Sequence, residues 1–135
     1  MASGIYERFK ANLMNKICDL EADTIKVMLL DNSHSFTATD NVIGDVSTNE
    51  VTGTAYSAGG ATLASGAVTQ ASTTKWDGTD TTWASSTITA YHAVIWDDTA
   101  ATDDLIASID FAAAKSSSSG NFTIQWHANG IITLA

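Results

Sequence analysis

The segment Thr87-Ile88-Thr89-Ala90-Tyr91-His92-Ala93-Val94-Ile95-Trp96 is long, apolar and rich in β-branched and aromatic residues, the composition of a strand. Side chains alternate across a strand, so Ile88, Val94 and Trp96 are expected on one face and Tyr91 and Ile95 on the other. A strand with two apolar faces needs cover on both sides. That requirement limits the folds open to the chain and frames every other segment.

Other segments repeat the pattern. Thr24–Leu30 alternates Ile25, Val27 and Leu29 against Thr24 and Lys26, and Leu105–Phe111 follows an acidic turn from Asp97 to Asp104. The run Lys115–Gly120 reads as a flexible link to a strand over Asn121–His127. Asn129-Gly130 then predicts a two-residue hairpin turn that pairs His127 with Ile132 and Trp126 with Thr133. Asp77-Gly78 predicts a second hairpin between the Trp76 and Trp83 segments. About eight short strands with close turns imply a mostly β fold: a single domain over residues 1–135, built as an antiparallel β-sandwich, jelly-roll-like.

One helix is expected at the N-terminus. Ile5, Phe9, Leu13, Met14 and Ile17 recur at spacings of three and four with polar residues between them, which predicts an amphipathic helix within residues 1–18, capped by Ser3 and packed on or beside the sheet. Residues 31–49 are polar and aperiodic apart from Phe36, Val42, Ile43 and Val46, so a surface excursion is expected, a long loop or a short helical turn pinned to the body by those side chains. Charges interrupt the N-terminal apolar residues, and no run approaches the ~20 residues of a membrane span. The expectation is a soluble protein made in the cytoplasm. If one helix cannot cover the second apolar face, a partner must, and an oligomer or assembly is predicted.

Charge and chemistry narrow the functional classes. With 6 Lys and Arg against 15 Asp and Glu, the net charge is -9 and the basic residues are scattered, which argues against direct nucleic-acid binding. Cys18 is the single cysteine, so no internal disulfide or cysteine zinc cluster is expected, only a buried thiol. Ala55-Tyr56-Ser57-Ala58-Gly59 falls one residue short of a nucleophile elbow and no helix start follows, so Ser57 is read as part of a glycine-rich bend. His34, His92 and His127 lack metal-ligand spacing. Asp97, Asp98, Asp103 and Asp104 form no calcium-loop motif and are read as a solvated turn. The sequon Asn121-Phe122-Thr123 is discounted as a glycosylation site. No catalytic residue, metal or cofactor is expected. Trp96 and Trp126 are assigned to the core, and Trp76 and Trp83, flanked by polar residues, to exposed contacts. Phe36, Val42, Ile132 and Leu134 complete the candidate partner-contact residues.

The segments Ile5–Asn15, Asp23–Leu30, Asn49–Tyr56 with Gly59-Gly60-Ala61-Thr62-Leu63, and Phe122–Trp126 with Gly130-Ile131 together resemble a family of small structural proteins of tailed bacteriophages and prophages. The resemblance spans nearly the whole chain and implies a virion component. The expected role is a capsid decoration or cement protein on the outside of the head, bridging subunits of the major capsid protein, often as a trimer. A tail, baseplate or fibre-base adaptor is the alternative within the particle. A host-surface carbohydrate-binding module using Trp76 and Trp83 is the alternative of another class.

Overall fold

The computed structural model describes residues 3–135; residues 1 and 2, included in the expected helical segment and domain, lie outside the described residues. The chain forms β1 (Gly4–Ile5), α1 (Glu7–Met14), β2 (Ile25–Leu30), β3 (Ala61–Thr62), β4 (Ala67–Thr69), β5 (Thr74–Asp77), β6 (Thr81–Asp97), β7 (Asp104–Ile124) and β8 (Ile132–Leu134). These strands make two antiparallel sheets in a sandwich-like arrangement, one of five strands in the order β1-β7-β6-β2-β3 and one of three in the order β4-β5-β8. The mostly β fold with one helix near the N-terminus is thus as the residue pattern predicts.

The long β6–β7 hairpin organises the molecule. Its strands pair from Asp97 and Asp104 at the acidic turn to Thr81 and Ile124 at the far end. The register shifts where extra residues enter: Ser85 on β6, and Ala112 and Ser119 on β7, lie within three of these irregularities and each adopts a positive φ. A left-handed residue at a bulge turns the strand and increases its twist. Consequently the facing predicted by simple alternation does not hold along β6. Ile88 and Ala90 join the same core as Ala93 and Ile95, whereas Val94 and Trp96 face the opposite way.

The main core lies between the sheets, with Phe9, Val27, Leu29, Trp76, Trp83, Ile88, Ile95, Phe122 and Ile132. A second core on the outer face of the large sheet holds Tyr6, Met28, Leu30, Val46, Val94, Trp96 and Leu105, with Phe36 and Ile43 packed against it. The doubly apolar strands are therefore real, but the chain supplies their second cover. Segment 31–49, with short 3-10 turns at Ile43–Asp45 and Ser47–Asn49, folds across this face. The inference that a partner must cover this face is overturned.

Four local expectations also change. The helix spans only Glu7–Met14, and Tyr6, not Ser3, precedes its first turn; Ser3 Oγ instead accepts a hydrogen bond from Asp110 N at 2.9 Å. Met14 and Ile17 are exposed, at 89% and 54%, while Asn12 is buried. Asn12 takes the inner face because its Nδ2 donates to Asp104 Oδ2 at 2.7 Å, where Arg8 Nε also lies at 3.3 Å. Asp77-Gly78 makes no hairpin, since β5 pairs with β4 and β8 while β6 belongs to the other sheet. Asn129-Gly130 makes none either: Gly130 has φ +103°, but Ile131 N donates to the Trp76 carbonyl at 2.7 Å and β8 is drawn onto β5. Lys115–Gly120 is not a link; Lys115, Ser116, Ser117 and Gly120 pair with β6 inside β7. No described helix is long and apolar enough to cross a membrane.

Candidate functional site

The candidate contact residues separate into three places. Trp76 and Trp83 are 2% and 5% exposed, so their assignment to the surface is corrected. Trp76 Nε1 donates to the Leu20 carbonyl at 3.1 Å, and Trp83 packs between Tyr56 and Phe122. Polar neighbours in sequence lie on the opposite face of each strand and do not report the exposure of the ring. Buried in this way, neither ring presents a face to a sugar. Trp96 is buried as predicted, and Trp126 is half-buried at the core margin. Ile132 is also buried, whereas Leu134 is 61% exposed and shares with Val68, Trp76 and Ile132 a shallow apolar depression beside the helix. Phe36 and Val42 lie on the other side of the large sheet: Phe36 packs on Tyr6 with ring centroids 5.0 Å apart, and Val42 bridges to Asp104.

A larger concavity forms where β7 curls. Its groove, about 580 Å³, is lined by Ile109, Phe111, Phe122, Ile124 and Trp126, with Lys115, Ser116, Asn121, Thr123 and Gln125 completing the rim. The outer edge of β7 is bonded from Asp104 to Asp110, by Asn41 and Val42, by β1 and Tyr6, and by Ser3 Oγ at Asp110 N, whereas Phe111 to Ile124 has a strand partner on one side only. An unpaired strand edge offers backbone N–H and C=O groups to another chain. Apolar residues at alternate positions, Ile109 and Phe111 then Phe122, Ile124 and Trp126, are the sequence signal of this groove. The polar run Lys115–Gly120 separates its two halves in the sequence.

Two polar clusters are structural by their geometry. On the inner side of segment 31–49, its own His34 meets His92 of β6: both are buried with ring centroids 5.0 Å apart, and His34 Nε2 lies 3.0 Å from Ser108 Oγ. Burial lowers the pKa of both, and each is further tuned by charge: His92 lowers that of His34, and Asp110, with Oδ1 3.8 Å from His92 Nδ1, opposes the shift at His92. Both imidazoles of this Ser–His–His–Asp grouping are shut away from solvent and line no groove; only Ser108 reaches one, a depression beside β1. In the second cluster the Tyr56 hydroxyl donates to Glu50 Oε1 at 2.8 Å and accepts from Leu29 N at 3.0 Å, while Gly59 N donates to the same Glu50 oxygen at 2.6 Å. Gly60, at φ +86°, lies so close to β2 that a Cβ would stand 1.8 Å from the Val27 carbonyl oxygen. The segment Asn49–Tyr56 with Gly59-Gly60 therefore builds the wall beside β2. Ser57 is exposed in that wall, in a turn closed by Gly60 N donating to its carbonyl at 3.0 Å.

The four aspartates around the acidic turn take separate roles. Asp98 pairs with Lys26 at 3.2 Å, and Asp104 accepts from Thr102 and Asn12 and forms an ion pair with Arg8 at 3.3 Å. Burial raises the Asp104 pKa, but the hydrogen bonds from Thr102 and Asn12 and the Arg8 guanidinium outweigh it and hold the carboxyl below its ordinary range. Asp103 adopts a positive φ at the turn, and Asp97 is buried. The chain matches no protein-family model, no curated protein and no solved structure.

Proposed function

We propose that this domain is a structural component of a tailed-phage virion, a decoration or cement protein that binds the outside of the head and bridges subunits of the major capsid protein. The observation that carries the reading is the unpaired edge of β7 beside an apolar groove. Such an edge lets a capsid segment add as a strand while its alternate side chains enter the groove. The resemblance to small phage structural proteins supplies the setting, and a net charge of -9 suits a surface away from packaged DNA. Because segment 31–49 already covers the second core, self-association as a trimer rests on the cement role, with Met14, Val68 and Leu134 as exposed apolar points for it.

Cryo-electron microscopy of the particle, with mass-spectrometric copy number, tests this. Hundreds of copies on the head, with β7 against capsid protein, are expected. A handful of copies on the tail would favour the adaptor alternative, and absence from the particle would end the virion reading. In a binding assay with isolated particles, Phe111→Asp at the groove is expected to weaken attachment tenfold or more, the effect of losing about 1.4 kcal/mol, while circular dichroism shows the fold retained. Unchanged attachment would remove the groove from the interface.

A further inference from the structure

Three side chains distant in sequence converge below the junction of α1 and β2. Cys18 and Asp23 come from the connecting segment and Asp97 from the end of β6; the sulfur and one oxygen of each carboxylate lie within 4.8 Å of one another. Asp97 is 1% exposed and Cys18 is buried, while Asp23, half-buried, forms the side nearest solvent.

The carboxylates are oriented by backbone groups. Asp23 Oδ2 accepts from Asp19 N at 3.0 Å, and Asp97 Oδ1 accepts from Thr99 N at 3.0 Å and Ala100 N at 3.2 Å. The other oxygen of Asp97, Oδ2, is buried without a hydrogen-bond partner. Lys26, close by on β2, is already engaged by Asp98 at 3.2 Å. A buried carboxylate oxygen without a donor is costly, and natural structures rarely leave one. In the metal-free protein the protons of the Cys18 thiol and of the Asp23–Asp97 pair are the ones at hand for this carboxyl, and a cation that displaces them serves the carboxylates and the thiolate together.

The geometry points to a divalent transition-metal site, zinc by the chemistry of its donors, made by Cys18 Sγ and the free carboxylate oxygens of Asp23 and Asp97. Zn–S bonds of about 2.3 Å and Zn–O bonds of about 2.0 Å place tetrahedral donors about 3.3 to 3.6 Å apart, a spacing that rotation of the half-buried Asp23 side chain can reach. The backbone donors that fix Asp23 and Asp97 act as the outer shell that orients metal ligands. Calcium suits the site poorly, since it takes six to eight oxygens and no thiolate. Burial and the neighbouring Asp97 raise the Cys18 pKa, so the metal-free thiol keeps its proton; zinc binding replaces that proton, which passes to solvent, with a Zn–S bond. The fourth position lies toward solvent beside Asp23. The ion would staple the helix-to-sheet connection to the end of β6, a role separate from the contact function proposed above.

The test uses the full chain, reduced and freed of metal by chelation. One equivalent of Co²⁺ is expected to give thiolate-to-cobalt charge-transfer absorption, absent in Cys18→Ala. Zinc at about 100 times its Kd is expected to raise the thermal midpoint by about 10 °C. Asp97→Asn keeps the oxygen that caps Thr99 and Ala100 and is expected to weaken zinc binding at least tenfold. No charge-transfer band and no zinc-dependent midpoint in the folded wild type would overturn the site, a result independent of how either variant folds. A zinc shift that persists undiminished in Cys18→Ala would overturn it as well.

Discussion

Tyr56, in one of the segments that carry the resemblance, ties β2 to the Glu50 wall. Its hydroxyl is the acceptor for Leu29 N and a donor to Glu50, and its ring packs 6.0 Å from Trp83. Burial first, and then Glu50, pushes its pKa far up, so the hydroxyl stays protonated at any physiological pH. Tyr56→Phe keeps the ring and leaves Leu29 N without that acceptor, and a loss of about 1 to 3 kcal/mol is expected in urea denaturation. No loss would mean that the hydroxyl contributes nothing net. Trp83 carries the complementary lesson. Its neighbours Thr82 and Ala84 are exposed, and sequence alone does not say which face of a strand the sandwich will bury when a bulge at Ser85 shifts the register two residues later.

Among the elements, the β6–β7 hairpin shows both what patterning conveys and where it stops. Strand-forming residues identified its central portion, and the acidic run marked the turn, although only Asp98 and Asp103 reach solvent there while Asp97 and Asp104 are buried. The bulges were not legible, since Ser85, Ala112 and Ser119 are ordinary residues carrying a conformation that glycine adopts freely. Ala112→Gly is therefore expected to stabilise the domain by about 1 kcal/mol, and Ala112→Val to destabilise it by more than that, in chemical denaturation. Equal stability of the two variants would exclude left-handed strain at this bulge. The helix was foreseen by its periodicity, but its inner face was not. Asn12 sits where an apolar stripe was expected because Asp104, 92 residues away, supplies the partner.

At the scale of the molecule, the cover over the outer face decides how stability responds to acid. His34 and His92 are held neutral on the inner side of segment 31–49, facing Ser108, Asp31 and Asp110. The unfolded chain protonates its histidines near pH 6.5, whereas the folded pair resists; the unfolded state then binds more protons, and stability falls as pH drops below about 6.5. Asp97 acts with the opposite sign, because its carboxyl, pushed up to about 6 chiefly by burial, takes up a proton more readily in the fold. Thermal midpoints of wild type and His34→Gln/His92→Gln between pH 7.5 and about 5 separate the two effects. The wild type is expected to lose stability relative to the double variant as pH falls. Parallel curves would show that the pair does not titrate with unfolding. The doubly apolar strands of the sequence predicted that a second cover exists; its source in the polar segment 31–49 was hidden because only Phe36, Ile43 and Val46 of that segment reach the core.

The pairing of β2 with β6 also has a consequence for synthesis. Ile25 is bonded opposite Asp97, and Leu30 opposite His92, so a strand buried on both faces emerges from the ribosome long before its neighbour exists. At roughly 5 to 20 residues per second the delay between Ile25 and Asp97 is about 4 to 14 s. During that interval Ile25-Lys26-Val27-Met28-Leu29-Leu30 has only the two-residue β3 to pair with, and the central sheet closes only when its last long strand has been made.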